Sequence, residues 1–145
     1  MRDRSYLYYC LYLAAFFIMN FSYNGFSFQY LWPDAPRWAN WTYTSWVFLY
    51  QLMAIIFAMV FLETSHRLPR MHRVLCLFLY VMVAAWFLTL TFADPVVHNA
   101  TGVYFVFLYS PLTAIAGFLA WRAGFPAARF FVVASMGNLL SLIHI

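Results

Sequence analysis

The sequence predicts an all-α fold: a polytopic transmembrane helix bundle of about five spanning helices. Three observations predict it. Of 145 residues, 66% are hydrophobic and 8% charged, where a soluble globular domain is about half apolar and about one-quarter charged. Such a chain cannot supply the polar surface that a soluble fold exposes, and it is too apolar for disorder. The apolar residues also gather in long segments, and at roughly 20 residues per crossing the length admits about five. Finally, the eight basic residues are all arginine and collect in alternate connections between those segments.

The first segment runs from about residue 5 to 31 and ends at Trp32-Pro33-Asp34-Ala35-Pro36, because proline removes a backbone donor and restricts its predecessor. The second covers 38–62. A polar stretch, 63–73, follows. The third covers 74–92 and stops at Asp94-Pro95. The fourth covers 96–121 and contains Pro111. After a short turn at 122–126, the fifth covers 127–145. In hydrocarbon each such stretch is helical, since the backbone finds no partner but its own helix. None of the charges lies deep within an apolar run, as expected where a central charge costs about 3 kcal/mol or more.

Arginine positions set the orientation. Arg2 and Arg4 precede the first segment, Arg67, Arg70 and Arg73 occupy 63–73, and Arg122 and Arg129 flank the last turn. The 32–37 turn has Arg37 alone, and the 93–97 turn has none. The positive-inside rule then places the amino end, 63–73 and 122–129 in the cytoplasm. Basic charge is thus a topology record, and no nucleic-acid partner is expected. Tyr6, Tyr8, Tyr9 and Tyr12 near one interface, and Tyr30, Trp32, Trp38, Trp41 and Trp46 near the other, read as interfacial belts.

Few residues suggest chemistry. Asn20 and Asn24 lie one turn apart on one helix face. With Gln51 they are candidate intramembrane polar contacts, and interhelical hydrogen bonding explains them better than a ligand site. Pro111 is a candidate hinge, although neighbours can satisfy the carbonyl a proline frees. Ala114, Gly117 and Ala120 form a close-packing stripe. Glu63 and Arg67 are placed to pair across one turn. His66 and His72 are six apart across Pro69, a poor metal geometry, and Cys10 and Cys76 lack metal-ligand spacing. No cofactor or metal is expected. Asn40-Trp41-Thr42 and Asn99-Ala100-Thr101 match the glycosylation pattern by chance. With no nucleophile–base pair, paired carboxylates or phosphate-binding loop, the chain does not read as an enzyme. The lack of an intramembrane carboxylate argues against the alternative class, part of a transporter or channel.

Four strings carry a resemblance. Arg2-Asp3-Arg4-Ser5-Tyr6-Leu7-Tyr8-Tyr9 resembles the first inner loop of the bacterial seven-transmembrane receptors with diverse intracellular signalling modules. Gly25 through Pro33 is similar to the end of that family's second helix and its outer turn. Phe61-Leu62 with His66-Arg67-Leu68-Pro69 resembles the loop after its third helix. Pro126-Ala127-Ala128-Arg129-Phe130-Phe131 resembles the entry to its sixth. The resemblance implies a partial receptor domain over 1–139, covering helices two to six, in the bacterial inner membrane with its amino end cytoplasmic. It also implies partners: the lipid bilayer, the missing helices, an extracytoplasmic sensor domain, a cytoplasmic output domain (diguanylate cyclase, histidine kinase or phosphatase) and a second copy in a homodimer. Leu140-Ser141-Leu142-Ile143-His144-Ile145 reads as a sequencing-adapter artefact rather than receptor sequence. A reporter active only in the cytoplasm is expected to work when fused within 63–73 and to fail within 93–97; the reverse pattern overturns the orientation.

Overall fold

The computed structural model describes residues 2–30, 33, 34 and 36–143, the side chains of 2–4, 28, 36, 37, 39, 40 and 138–143 excepted. It is helical throughout. The elements are α1 (Arg2–Tyr23), α2 (Phe26–Tyr30), α3 (Pro36–Phe61), α4 (Thr64–Arg67), α5 (Pro69–Phe92), α6 (Pro95–Arg122) and α7 (Ala128–Ile143). Among the described residues, four helices are long and apolar enough to cross a membrane: α1, α3, α5 and α6. Helix α7 has 16 residues, about 24 Å at 1.5 Å per residue against a hydrocarbon core of about 30 Å. Of the residues read as adapter-encoded, 140–143 continue the backbone of α7, their side chains outside the described ones, and His144 and Ile145 lie outside the described residues altogether.

The ends of the helices follow local chemistry. The first apolar segment is not one helix. Gly25 takes φ +80 and its N–H bonds Ser22 O at 3.1 Å, so α1 stops and the single turn of α2 follows. That left-handed region costs a non-glycine residue about 1–2 kcal/mol. Helix α3 ends at Phe61, and Glu63 accepts φ 48 despite its Cβ. The polar stretch after it is helical rather than an open loop. Thr64–Arg67 makes one turn, and α5 begins at Pro69, five residues earlier than its apolar run, because proline is well placed at the first helical position. Helix α6 likewise starts with Pro95. It closes in a two-bond cap: Phe125 N–H to Ala120 O at 3.2 Å and Gly124 N–H to Trp121 O at 3.0 Å, with Gly124 at φ +87.

Helix α3 is the hub. It packs against α1, α5 and α6, while α7 packs against α6. The core runs along it through Phe48, Ile55 and Leu62, met by Leu75 and Met82 of α5 and by Ala116 and Ala120 of α6. The outside is apolar: Phe17, Leu77, Tyr80, Leu88, Phe107 and Val133 are all exposed. An exposed apolar surface of that extent is suited to lipid. The start of α1, the end of α3 and the start of α7 share one end of the bundle. There Arg67 lies 4.8 Å over the Phe125 ring and Ser5 and Tyr6 border the same groove as Glu63 and Phe130. This arginine-rich end opposes the Asp94 end.

Two close approaches set the spacing of α6. A Cβ on Gly102 would sit 2.8 Å from Thr44 Cγ2, and one on Gly117 would sit 2.8 Å from the Phe131 ring. Both contacts exclude even a methyl group, so the small-residue stripe at Ala114, Gly117 and Ala120 is buried between α6 and α7. Gly102→Ala should lower stability by about 1–3 kcal/mol, measured by unfolding in mixed micelles. Gly137→Ala, where nothing lies within 4 Å, is the control. Equal effects from the two would refute this account of the α3–α6 spacing.

Candidate functional site: a polar seam between three helices

The interior at the Asp94 end is polar. Thr44, Gln51 and His98 have 2%, 0% and 0% of their surface exposed. Thr44 and Gln51 are seven apart and share one face of α3. His98, Asn99 and Gly102 lie in the first two turns of α6, facing it. Thr89, in the last turn of α5, completes the arrangement.

The hydrogen bonds run across all three helices. Thr89 donates its hydroxyl proton to Ala85 O at 2.8 Å. Its oxygen therefore accepts from His98 Nδ1–H, 2.9 Å away, because a hydroxyl has a single proton to give. Trp41 of α3 stacks on the imidazole at 4.9 Å between ring centres, and Phe48 flanks it at 5.8 Å. Thr44 donates to Asn99 Oδ1. Trp86 Nε1 donates to Ser45 Oγ at 3.4 Å, tying α5 to α3. Deeper in, Gln51 Nε2 donates to Gly102 O at 3.4 Å, and the hydroxyls of Tyr50 and Tyr109 meet at 3.4 Å. Three buried atoms near this seam, His98 Nε2, Gln51 Oε1 and Ser110 Oγ, have no hydrogen-bond partner among the described residues. Each is an acceptor with spare capacity, so the seam can hold a second set of hydrogen bonds.

Of the candidate intramembrane polar contacts Asn20, Asn24 and Gln51, only Gln51 joins this seam among the described residues. Asn20 Nδ2 donates to Phe16 O at 2.9 Å, and Asn24 Nδ2 to Asn20 O at 2.8 Å. Both amides turn back onto their own helix, and among the described residues neither bonds another helix. Pro111 is exposed within a continuous α6. Arg67 pairs with Glu63 at 2.9 Å as the spacing suggested. Arg129 lies 4.8 Å over Phe130, and Arg70, Arg73 and Arg122 are exposed. Sequence reasoning missed His98, Thr44 and Thr89. Asn99 had been noticed as a glycosylation match, and the structure instead turns it inward onto Thr44. A usable signal existed: His98, Gly102, Phe105 and Tyr109 recur at helical spacing on an otherwise apolar helix.

Residues 1–145 match the family described as 7TM diverse intracellular signalling, and the chain belongs to that family. No curated protein and no solved structure matches the chain. The resemblance carried by the four strings is therefore borne out over the whole chain. It is a multi-pass membrane protein, the transmembrane region of a signalling receptor, and the family is not a catalytic one. Thr89→Val and His98→Leu should destabilise non-additively, with a coupling of about 0.6 kcal/mol, the average for hydrogen bonds between membrane helices, and at most about 1.7 kcal/mol. A double-mutant cycle that sums within error would remove the bond from the account.

Proposed function

We propose that this region relays an extracytoplasmic signal to a cytoplasmic output domain, a diguanylate cyclase, histidine kinase or phosphatase. The observation that carries the reading is the family match over the full chain. The bundle supports it mechanically. Helix α6 touches α3, α5 and α7, so a shift of the His98 seam is carried along a stiff element. A signal acts only by favouring one packing over another, and interlocked side chains favour discrete packings over continuous drift.

The proposed setting is the bacterial inner membrane with the amino end cytoplasmic. Arg67 and Phe125 in contact bring two arginine-bearing connections to one end, as a shared cytoplasmic face requires. The sensor domain, the remaining helices and a second receptor copy are proposed partners.

The test uses the full-length receptor in membranes, with its output read as cyclic dinucleotide synthesis, autophosphorylation or phosphate release. His98→Leu should change basal output several-fold at unchanged membrane insertion. Leu77→Phe, on the lipid-facing side of α5, should leave it unchanged. Unchanged output in His98→Leu, or a gene whose reading frame closes without an output domain, contradicts the relay.

A further inference from the structure

A second constellation lies at the arginine-rich end, apart from the His98 seam. Met59 stands in the last turn of α3. His72 and Cys76 stand one turn apart near the start of α5, on one face. The side chains of all three are half-buried. Thr64, fully buried in the connection between the two helices, holds the histidine. Its hydroxyl lies 2.9 Å from His72 Nδ1 and 3.3 Å from Met59 O. With Nδ1 engaged by Thr64, Nε2 is the ring nitrogen turned toward Cys76. That nitrogen lies 3.7 Å from Cys76 Sγ, and the same sulfur lies 3.9 Å from Met59 Sδ.

We propose that Met59, His72 and Cys76 form a binding site for a soft monovalent cation, Cu(I). Donor atoms about 2.0–2.3 Å from a shared ion, at 109–120° to one another, lie about 3.6–4.0 Å apart. The two separations made by Cys76 Sγ, to His72 Nε2 and to Met59 Sδ, fall in that range. The donor set selects the metal. Thiolate and thioether sulfur favour Cu(I), and hard cations such as Mg²⁺ or Ca²⁺ take oxygen instead. Charge points the same way. A monovalent ion is neutralised by one thiolate, whereas a divalent ion leaves positive charge on the helix that carries Arg70 and Arg73. The Thr64 hydrogen bond at Nδ1 is an outer contact of the kind that orients a metal-binding histidine. Among the described residues no three His, Cys, Asp or Glu converge on a metal position; here the third donor is a thioether. On binding, the Cys76 thiol loses its proton to solvent as the sulfur–copper bond forms, with no change of oxidation state. The ion would fasten the end of α3 to the start of α5 across the connection where Glu63 sits at φ 48. This site stands independently of the proposed relay.

The test is anaerobic titration of the full chain in detergent with Cu(I) against the chromogenic chelator bathocuproine disulfonate, followed by X-ray absorption on the loaded protein. One Cu(I) per chain should be retained, with two sulfur and one nitrogen neighbours. Cys76→Ser should abolish retention, Met59→Leu should weaken it by at least tenfold, and Cys10→Ser should leave it intact. Failure of the wild-type chain to draw Cu(I) from the chelator overturns the proposal. So does loss of copper in Cys10→Ser with retention in Cys76→Ser, or displacement by equimolar Zn²⁺. If Cys76→Ser does not fold, the absorption spectrum of the wild-type chain decides, and a spectrum lacking sulfur overturns the site.

Discussion

In hydrocarbon a polar group has no partner except another part of the protein. The rest of this structure follows from that constraint. It makes every segment a helix, and it turns Thr44, Gln51 and His98 away from the lipid and toward one another. It also sets which helix is central. Helix α3 carries Thr44, Ser45 and Gln51 on the side that meets α5 and α6, and those three residues bond to Asn99, Trp86 and Gly102. Helix α5 is apolar over most of its circumference and lies at the edge of the bundle. Asn20 and Asn24 obey the same rule by a local route, each amide capping a carbonyl of its own helix.

The two ends of α3 are held by different chemistry. At the Asp94 end the seam is a network of hydrogen bonds with spare acceptors, stacked against Trp41 and Phe48. At the arginine-rich end the helix stops at Phe61, the chain passes through a left-handed Glu63, and Thr64 ties the connection to Met59 and His72. Between them lies a well-packed apolar middle built on Ala54, Ile55 and Ala58. Close-packed interiors transmit displacement rather than absorbing it. The exclusion of a methyl group at Gly102 and at Gly117 ties the position of α6 to α3 on one side and α7 on the other.

Much of this was legible in the residues alone. Segment positions follow from composition and from Pro36, Pro95 and Pro126, because length and hydrophobicity dominate in a bilayer. The arginine alternation also agrees with the shared end of α1, α3 and α7. What escaped depends on geometry that periodicity does not carry. Gly25 interrupts a run that stays apolar on both sides, so hydrophobicity hid the break that its positive φ makes. The polar stretch at 63–73 looked like a loop, yet helices continue past the hydrocarbon boundary where water can solvate their sides. His98 and Thr89 are nine residues apart across a turn, and only the antiparallel packing of α5 on α6 brings them together. His66 with His72, and Cys10 with Cys76, are poorly placed to share a metal, whereas His72 and Cys76 lie one turn apart and meet Met59 only in the folded bundle.

The central claim is that these helices sit in a bilayer with apolar faces outward and polar seams inward. Nitroxide scanning along α5 tests it most directly, in a background lacking Cys10 and Cys76 and reconstituted in lipid vesicles. The account predicts high collision rates with dissolved oxygen at Leu77, Val81, Ala84 and Leu88, low rates at Leu75 and Met82, and almost no access for a water-soluble nickel chelate at any of them. Nickel access along the Leu77–Leu88 face, or oxygen access without a helical period, would contradict it.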